Sequence, residues 1–152
     1  MPLLTALIHT HNDELRLARA LESLRPCDEL VICDHGSQDG TPGIAREYGA
    51  RLLPAAAADL GQARHDWILC LLSREALSEA LEASLFEWKL AEHDAARKFS
   101  MGVREQDGSN WVSHPPATRL VNRRAGLWTG PLPANDPHAQ LLAGDLLRFQ
   151  QP

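Results

Sequence analysis

The chain has 152 residues, of which 44% are hydrophobic, so it can bury one sizeable core and a single domain over residues 1–152 is expected. A formal net charge of −5 without a basic run argues against nucleic acid as the main partner and against a polybasic membrane surface. No apolar run approaches the roughly 20 residues of a transmembrane segment, and no charged leader precedes the first strand pattern, so a cytoplasmic location is expected.

The first part of the chain predicts a strand, a helix and a second strand. Residues 3–9 are mostly apolar and fit a strand that is buried on both faces. Asn12 is expected to cap the following helix, which carries an apolar stripe with Leu17 and Leu21. Residues 28–34 supply the second strand, and this order implies parallel pairing through a right-handed crossover.

Residues 31–41 read VICDHGSQDGT and mark the carboxyl end of the second strand. The apolar run stops at Asp34, a turn follows, and Thr41 with Pro42 is typical of the cap and first residue of a helix. In an open α/β sheet, ligands bind at such strand ends, where a carboxylate can meet ribose hydroxyls and helix N-termini face phosphates. The alternative is that Asp34 and Asp39 only cap and turn the loop.

The later part of the chain predicts further helices and strands. They are a helix over 42–48, strands over 50–53 and 66–71, a long packing helix over 75–97, and strands over 99–104 and 117–122. A turn at 106–109 and the pair Pro115 and Pro116 are expected to separate the last two strands. No internal repeat is present.

Three motifs follow one another in the N-terminal half, at residues 10–14 (THNDE), 34–41 (DHGSQDGT) and 48–50 (YGA). In order and spacing they resemble glycosyltransferase family 2, in which a T-x-N-E loop, a D-x-G-S-x-D-G-T loop and a Y-G-A turn occur in succession. Residues 66–71 (DWILCL) are similar to the D-W-I-L-x-L strand of that family. Residues 118–121 (TRLV) and 146–149 (LLRF) are similar to segments of its lipopolysaccharide-core-type members, so the resemblance covers nearly the whole chain.

The resemblance implies an α/β fold of the GT-A type, a Rossmann-like three-layer sandwich with a mostly parallel central sheet. It also implies transfer of sugar, with inversion, from a nucleoside-diphosphate sugar to a saccharide or lipid-linked acceptor in cell-envelope glycan synthesis. A lipid-linked acceptor would bring a cytoplasmic protein to the inner face of the membrane. The alternative is a catalytically inactive module that binds a nucleotide sugar or serves as a scaffold, because a fold alone does not decide activity.

The resemblance assigns the nucleotide sugar to polar residues at the ends of the first two strands. These residues are Thr10, His11, Asn12, Glu14, Asp34 and Asp39. Asn12 and Asp39 are explained equally well as caps of a helix and a turn. His11 and His35 are a second option for a transition metal, although no third ligand is evident.

After the fourth strand, the family carries a D-x-D motif, whose first carboxylate meets the ribose and whose second holds a divalent metal. Here the corresponding residues are Leu72, Ser73 and Arg74, followed by Glu75. A hard cation needs several oxygen ligands, so no metal site and no cofactor is predicted, although the family implies magnesium or manganese. Arg74 is a candidate for the phosphate groups, since a guanidinium suits phosphate oxygens. The alternative places Arg74 as a solvated residue in the first turn of the long helix.

Glu105 and Asp107 are candidates for the base that an inverting enzyme needs to deprotonate an acceptor hydroxyl. Both are explained equally well as turn or strand-edge carboxylates, and His114 is a third candidate. Trp111 and Trp128 are candidates for a sugar-stacking face, although aromatic residues at strand positions more often belong to a core.

Overall fold

The structure is a computed structural model that describes residues 1–55 and 60–152. The strands are β1 (Leu4–Thr10), β2 (Glu29–Asp34), β3 (Arg51–Pro54), β4 (Trp67–Leu72), β5 (Glu75–Leu77), β6 (Phe99–Asp107), β7 (Asn110–Asn122) and β8 (Gln140–Arg148). The α-helices are α1 (Leu17–Glu22), α2 (Thr41–Glu47) and α3 (Glu79–Trp88). Short 3₁₀ helices lie at Leu60–Gln62 and Arg123–Ala125. Within this part of the chain, no helix has the length and hydropathy needed to cross a membrane.

The strands form one mixed sheet in the order β3-β2-β1-β4-β7-β6-β8-β5. β1 is parallel to β2 and β4, β2 is parallel to β3, and β6 is parallel to β8. The remaining neighbours, β4 with β7, β7 with β6, and β8 with β5, are antiparallel. The predicted parallel pairing of the first two strands is confirmed. As a result, the carboxyl ends of β2, β1 and β4 lie side by side at one edge of the sheet.

Apolar side chains cover both faces of the sheet because β1, β2 and β4 are apolar at successive positions. One face packs against α1, α2 and α3 in a large cluster that includes Leu17, Leu21 and Leu85, so the predicted stripe of α1 is confirmed. The other face carries a smaller cluster in which Leu60 and Trp128 contribute from outside the sheet. Among the described residues, this second layer consists of a 3₁₀ helix and a loop.

Two predicted helix starts are wrong. Asn12 has a left-handed φ of 53°, a conformation that asparagine tolerates better than most residues, and α1 begins only at Leu17. Thr41 lies inside α2, after Gly40, and its hydroxyl does not accept a hydrogen bond from the first turn of that helix. Both side chains instead form hydrogen bonds between neighbouring loops.

The long helix predicted over residues 75–97 is also wrong, and so is the placement of Arg74 in its first turn. Glu75–Leu77 forms strand β5, and α3 begins only after Ser78, whose hydroxyl accepts the Leu81 N–H at 3.2 Å. The apolar spacing that predicted one helix continues across the boundary between a strand and a helix. Periodicity alone does not detect such a boundary.

The C-terminal strands form a longer hairpin than predicted. β6 and β7 pair from Phe99 to the turn at Gly108, and β7 continues through Pro115 and Pro116. A proline cannot donate to a strand ladder, but β7 pairs with β4 only from Leu120 onwards. The prolines therefore lie in the part of β7 that pairs with β6 on one side and, among the described residues, with no strand on the other.

A fully buried carboxylate, Glu75, connects the two halves of the sheet. Arg119 donates to its two oxygens at 2.7 and 3.0 Å, and Arg148 donates to one of them at 3.0 and 3.1 Å. The Leu72 N–H donates to it at 2.8 Å. Arg119 also donates to the Cys70 carbonyl at 3.2 Å. These bonds join the end of β4 to β5, β7 and β8.

The environment of Glu75 acts on its pKa in opposite directions. Burial raises the pKa, but the hydrogen bonds and charge of Arg119, the Leu72 N–H and the charge of Arg148 outweigh burial and leave the pKa below its ordinary value. Glu75 is therefore ionised in the folded protein at neutral pH.

Acidification is expected to destabilise the protein through Glu75. Because its pKa is lower in the folded than in the unfolded chain, this contribution is present above the ordinary value of 4.5 and is lost as the pH falls through the folded pKa. Urea unfolding of the Glu75→Gln variant should show a loss of about 3 to 5 kcal/mol at neutral pH and a weaker dependence on acid pH. Glu87→Gln, at an exposed position of α3, is the control. Identical pH dependence of wild type and Glu75→Gln would contradict this account.

Candidate functional site

Two loops lie against each other at the carboxyl edge of β1 and β2: the first follows β1 (residues 11–16) and the second follows β2 (residues 35–40). Backbone N–H groups of each loop donate to side-chain oxygens of the other. The Asn12 N–H donates to the Ser37 hydroxyl at 2.9 Å, and the Asn12 side-chain oxygen accepts the Gln38 N–H at 2.8 Å. The Glu14 carboxylate accepts the Gly40 N–H at 2.8 Å. A Cβ atom at Gly40 would lie 2.5 Å from that carboxylate, so a larger residue there would require the end of the Glu14 side chain to shift.

Thr41 is the most deeply buried member of this loop pair, with no exposed surface. Its hydroxyl accepts the Asp13 N–H at 2.9 Å and donates to the carboxylate of Asp39. Thr10 is also buried and donates to Asp13 at 2.6 Å. These residues therefore connect the first loop to the start of α2.

Asp34 and Asp39 are both in this edge but have different hydrogen-bond partners. Asp34 ends β2, pairs in register with Thr10, and accepts hydrogen bonds only from the N–H and hydroxyl of Ser37 among the described residues. Asp39 accepts from both the N–H and the hydroxyl of Thr41 and from the Glu14 N–H. The Thr41 hydroxyl lowers the pKa of Asp39. Both carboxylates are half-buried, but Asp39 accepts from three separate donors on Thr41 and Glu14, whereas Asp34 accepts from two donors of Ser37 alone and so retains more accepting capacity.

Histidines line the same edge. His9 Nδ1 and His35 Nε2 are 2.8 Å apart, and burial together with the neighbouring His35 lowers the pKa of His9. His11 Nδ1 contacts the His35 backbone carbonyl at 2.8 Å and not its ring. Within residues 1–55 and 60–152, no three histidine, cysteine or acidic side chains cluster in a metal-binding arrangement. The predicted His11 and His35 metal option therefore gains no third ligand from the described residues.

The turn after β4 lies next to these loops, because Leu72 pairs in register with His9. Ser73 and Arg74 form the turn, and the Arg74 carbonyl accepts the Phe149 N–H at 2.9 Å. Leu72 and Arg74 offer no side-chain oxygen, and the carboxylate of Glu75 is directed into the core by its arginine partners. The residues of this turn therefore do not fit the divalent cation that the family resemblance implies.

The three candidate bases lie on the hairpin of β6 and β7, which extends past the carboxyl edge of β4. The Glu105 carboxylate accepts a hydrogen bond from Arg148 at 3.2 Å and lies 3.9 Å from His114 Nε2. Asp107 is exposed at the end of β6. Among the described residues, none of these side chains is hydrogen-bonded to the two loops. Their catalytic role stays a prediction.

The tryptophans occupy different environments. The Trp111 ring packs edge-on against Phe149, with ring centroids 5.3 Å apart. Trp128 lines a cleft of about 960 Å³ together with Leu60 and Leu132, on the face of the sheet opposite the helices. A smaller cavity continues from Trp128 to His9. The cleft therefore opens beside the strand edge that carries the two loops.

The sequence did not reveal the partners of Glu75. Arg119 stands within the apolar run of β7 and is 2% exposed, which requires a buried counter-charge. The charged residue within a strand pattern was the available signal, but the identity of its partner depends on pairing between distant strands.

Cys33 and Cys70 are free thiols, and burial raises their pKa to about 11 and about 12, so neither acts as a nucleophile at neutral pH.

No family model matches the chain. The chain is 32% identical over 145 residues to a TPR repeat-containing protein of Synechococcus elongatus, which covers 89% of this chain and 34% of that protein. It is 28% identical over 140 residues to an uncharacterised glycosyltransferase of Rickettsia felis, covering 82% of this chain and 49% of the relative. The chain thus spans between a third and a half of these curated relatives.

A shorter sequence match and one solved structure add to these similarities. Over 45 residues the chain is 44% identical to the lipopolysaccharide core biosynthesis glycosyltransferase LpsC of Rhizobium meliloti, which is 30% of this chain and 17% of LpsC. S. aureus TarS 1–349 in complex with UDP superimposes with a TM-score of 0.55 and 18% identity, covering 71% of this chain and 37% of TarS. The predicted α/β fold of the GT-A type is confirmed.

Loss of the Thr41 hydroxyl is expected to destabilise the loop pair. Thr41→Ala leaves the part-buried Asp13 N–H without its acceptor and removes one of the three donors to Asp39, which should cost about 1 to 3 kcal/mol. Thr41→Ser keeps the hydroxyl and should stay closer to wild type. Denaturant unfolding at constant slope measures both variants. Equal midpoints for Thr41→Ala and wild type would contradict this role.

Proposed function

We propose that this chain, a relative of the glycosyltransferases with a GT-A fold, transfers sugar from a nucleoside-diphosphate sugar to a saccharide or lipid-linked acceptor, as family 2 enzymes do. The observation that carries the proposal is the free accepting capacity of Asp34 at the strand edge where this fold class binds nucleotides. The sequence relatives named as glycosyltransferases support the reaction class.

In this proposal Asp34 accepts hydrogen bonds from the base or ribose of the donor. The ends of β2, β1 and β4 follow one another, so Asp34 and the Leu72–Arg74 turn are about 10 Å apart across two strand spacings. A nucleoside diphosphate can extend along this edge from Asp34 towards Arg74. UDP in the TarS structure supports a uridine nucleotide as the first donor to test.

The other candidate residues form the surroundings of Asp34. The side-chain oxygens of Asn12, Glu14 and Asp39 accept hydrogen bonds that join the two loops. The Thr10 hydroxyl donates to the Asp13 carboxylate at the base of the first loop. Their part is to hold the edge in one shape before the nucleotide arrives, which reduces the entropy lost on binding. His11 is exposed beside Asn12, but its Nδ1 contacts the His35 carbonyl at 2.8 Å and its Nε2 lies 3.2 Å from the Asn12 side-chain nitrogen, so a contact of this ring with the donor replaces one of these bonds.

For the acceptor, the proposal uses the hairpin carboxylates. Glu105 or Asp107 takes the proton of the acceptor hydroxyl, the hydroxyl oxygen forms a bond to the anomeric carbon, and the bond to the nucleoside diphosphate breaks with inversion. The match to LpsC supports an envelope saccharide or lipid-linked acceptor. Loss of transfer in Asp107→Asn or Glu105→Gln, with donor binding retained, would identify the base.

A second candidate function is a binding or scaffolding module without catalysis. It is favoured by the turn after β4, where Leu72, Ser73 and Arg74 provide no carboxylate. Calorimetric titration with UDP-glucose and GDP-mannose, followed by assays of donor hydrolysis and transfer, separates the two candidates. Turnover supports the enzyme, binding without turnover supports the module, and no binding of any nucleotide sugar rejects both.

Removing the Asp34 carboxylate is expected to weaken nucleotide binding more than removing that of Asp39. A hydrogen bond involving a charged group contributes roughly 1.5 to 3 kcal/mol, so Asp34→Ala should bind UDP about tenfold or more weakly. Asp39→Ala should lower the unfolding midpoint because Thr41 and Glu14 lose their acceptor. Calorimetry and denaturant unfolding measure the two effects. A folded Asp34→Ala variant with unchanged affinity would remove Asp34 from the site.

A further inference from the structure

Arg74 and Arg19 contact Phe149, beside the turn that follows β4, and a third arginine, Arg16, lies close to Arg19. The Phe149 N–H donates to the Arg74 carbonyl at 2.9 Å, and the Arg19 guanidinium lies over the Phe149 ring, 3.7 Å from its centroid. Burial lowers the pKa of Arg19, and the charge of Arg16, three residues earlier in the chain, lowers it further. We call Arg16, Arg19 and Arg74 the arginine cluster.

The arginine cluster has little compensating negative charge. Arg16 has one long ion pair, 3.7 Å to Asp13, and Arg19 donates to the backbone carbonyl of Gln151. The Nε groups of Arg16 and Arg19 are buried without a hydrogen-bond partner among the described residues. Arg74 is exposed, and no acidic side chain of the described chain pairs with it. In a protein of net charge −5, this local excess of positive charge attracts an anion.

Two carboxylates that are close to the arginine cluster in sequence, Glu75 and Glu14, are committed elsewhere. Glu75 accepts five hydrogen bonds from Leu72, Arg119 and Arg148, and Glu14 accepts the Gly40 N–H. The charge of Glu75 is therefore already balanced by its own two arginines. It does not neutralise the arginine cluster, and it is not available to a metal ion.

We infer that the arginine cluster binds the diphosphate of the nucleotide donor and replaces the divalent cation for which the Leu72–Arg74 turn provides no carboxylate. A guanidinium presents several donors in a fixed fork that matches phosphate oxygens, and it stays charged at neutral pH. Arg74 follows the end of β4, two strands from Asp34, where the phosphates of a nucleotide held at Asp34 would extend, and Arg19 contacts the same Phe149 as Arg74. This inference rests on the proposed function and names the groups that hold its donor.

The experiment compares UDP, uridine and inorganic pyrophosphate by calorimetry, first in chelator and then in excess manganese. The variants are Arg74→Ala and Arg16→Ala, because Arg19→Ala would also remove the contact with Phe149. Arg46→Ala is the matched control, an exposed arginine at the far end of α2. Unfolding midpoints verify that each variant is folded.

Wild type should bind UDP in chelator, with an affinity that rises less than tenfold on adding manganese. Arg74→Ala and Arg16→Ala should each weaken UDP about tenfold or more, which is about 1.4 kcal/mol, and leave uridine unchanged. Arg46→Ala should match wild type, and pyrophosphate should bind wild type more tightly than either cluster variant. Salt should weaken UDP more than uridine.

Two results would overturn the inference while leaving the proposed function intact. They are a tenfold or greater rise in UDP affinity with manganese, and UDP binding by Arg74→Ala and Arg16→Ala that equals wild type. Absence of binding to wild type by UDP, GDP, CDP, ADP and dTDP in both conditions rejects the proposed function and the inference together.

Discussion

The buried carboxylate of Glu75 is the constraint on which the rest of the structure depends. An ionised group without exposed surface is stable only with full compensation, and Arg119, Arg148 and the Leu72 N–H provide it from three different strands. This requirement joins the parallel half of the sheet to the antiparallel half. The bond from the Leu72 N–H to Glu75 also closes the turn after β4. The position of Arg74 in that turn therefore depends on the hydrogen bonds that stabilise the Glu75 carboxylate.

The two loops at the carboxyl edge show how recognition and support are divided. Most of their polar groups bond to one another, which holds the edge in one conformation, and Asp34 is left with capacity for a ligand. A site of this kind is rigid before binding, because the hydrogen bonds between its loops are already made. The arginine cluster adds positive charge at the neighbouring strand end, where the bonds of Glu75 leave no carboxylate for a cation.

Local patterns were sufficient for the N-terminal half of the fold. The apolar runs of β1 and β2, the stripe of α1 and Gly49 after α2, with its left-handed φ of 73°, all reflect interactions between residues close in sequence. The motif order around Asp34 was sufficient to predict a nucleotide-binding edge and an α/β fold of the GT-A type. The strand and helix inferences needed only short-range periodicity and turn chemistry, whereas the nucleotide-sugar site and the GT-A fold came from the resemblance of the motifs to glycosyltransferase family 2.

The sequence by itself thus determined the parallel start of the sheet, the core stripe of α1 and the position of Asp34 at a strand end. Only the tertiary structure decided that Asn12 and Thr41 join loops, that residues 75–77 form a strand, and that Arg19 and Arg74 both contact Phe149. The physical reason is that the partners of these groups are distant in the chain. A hydroxyl or a charge bonds to whatever group the folded sheet brings within reach, and that choice has no local signature.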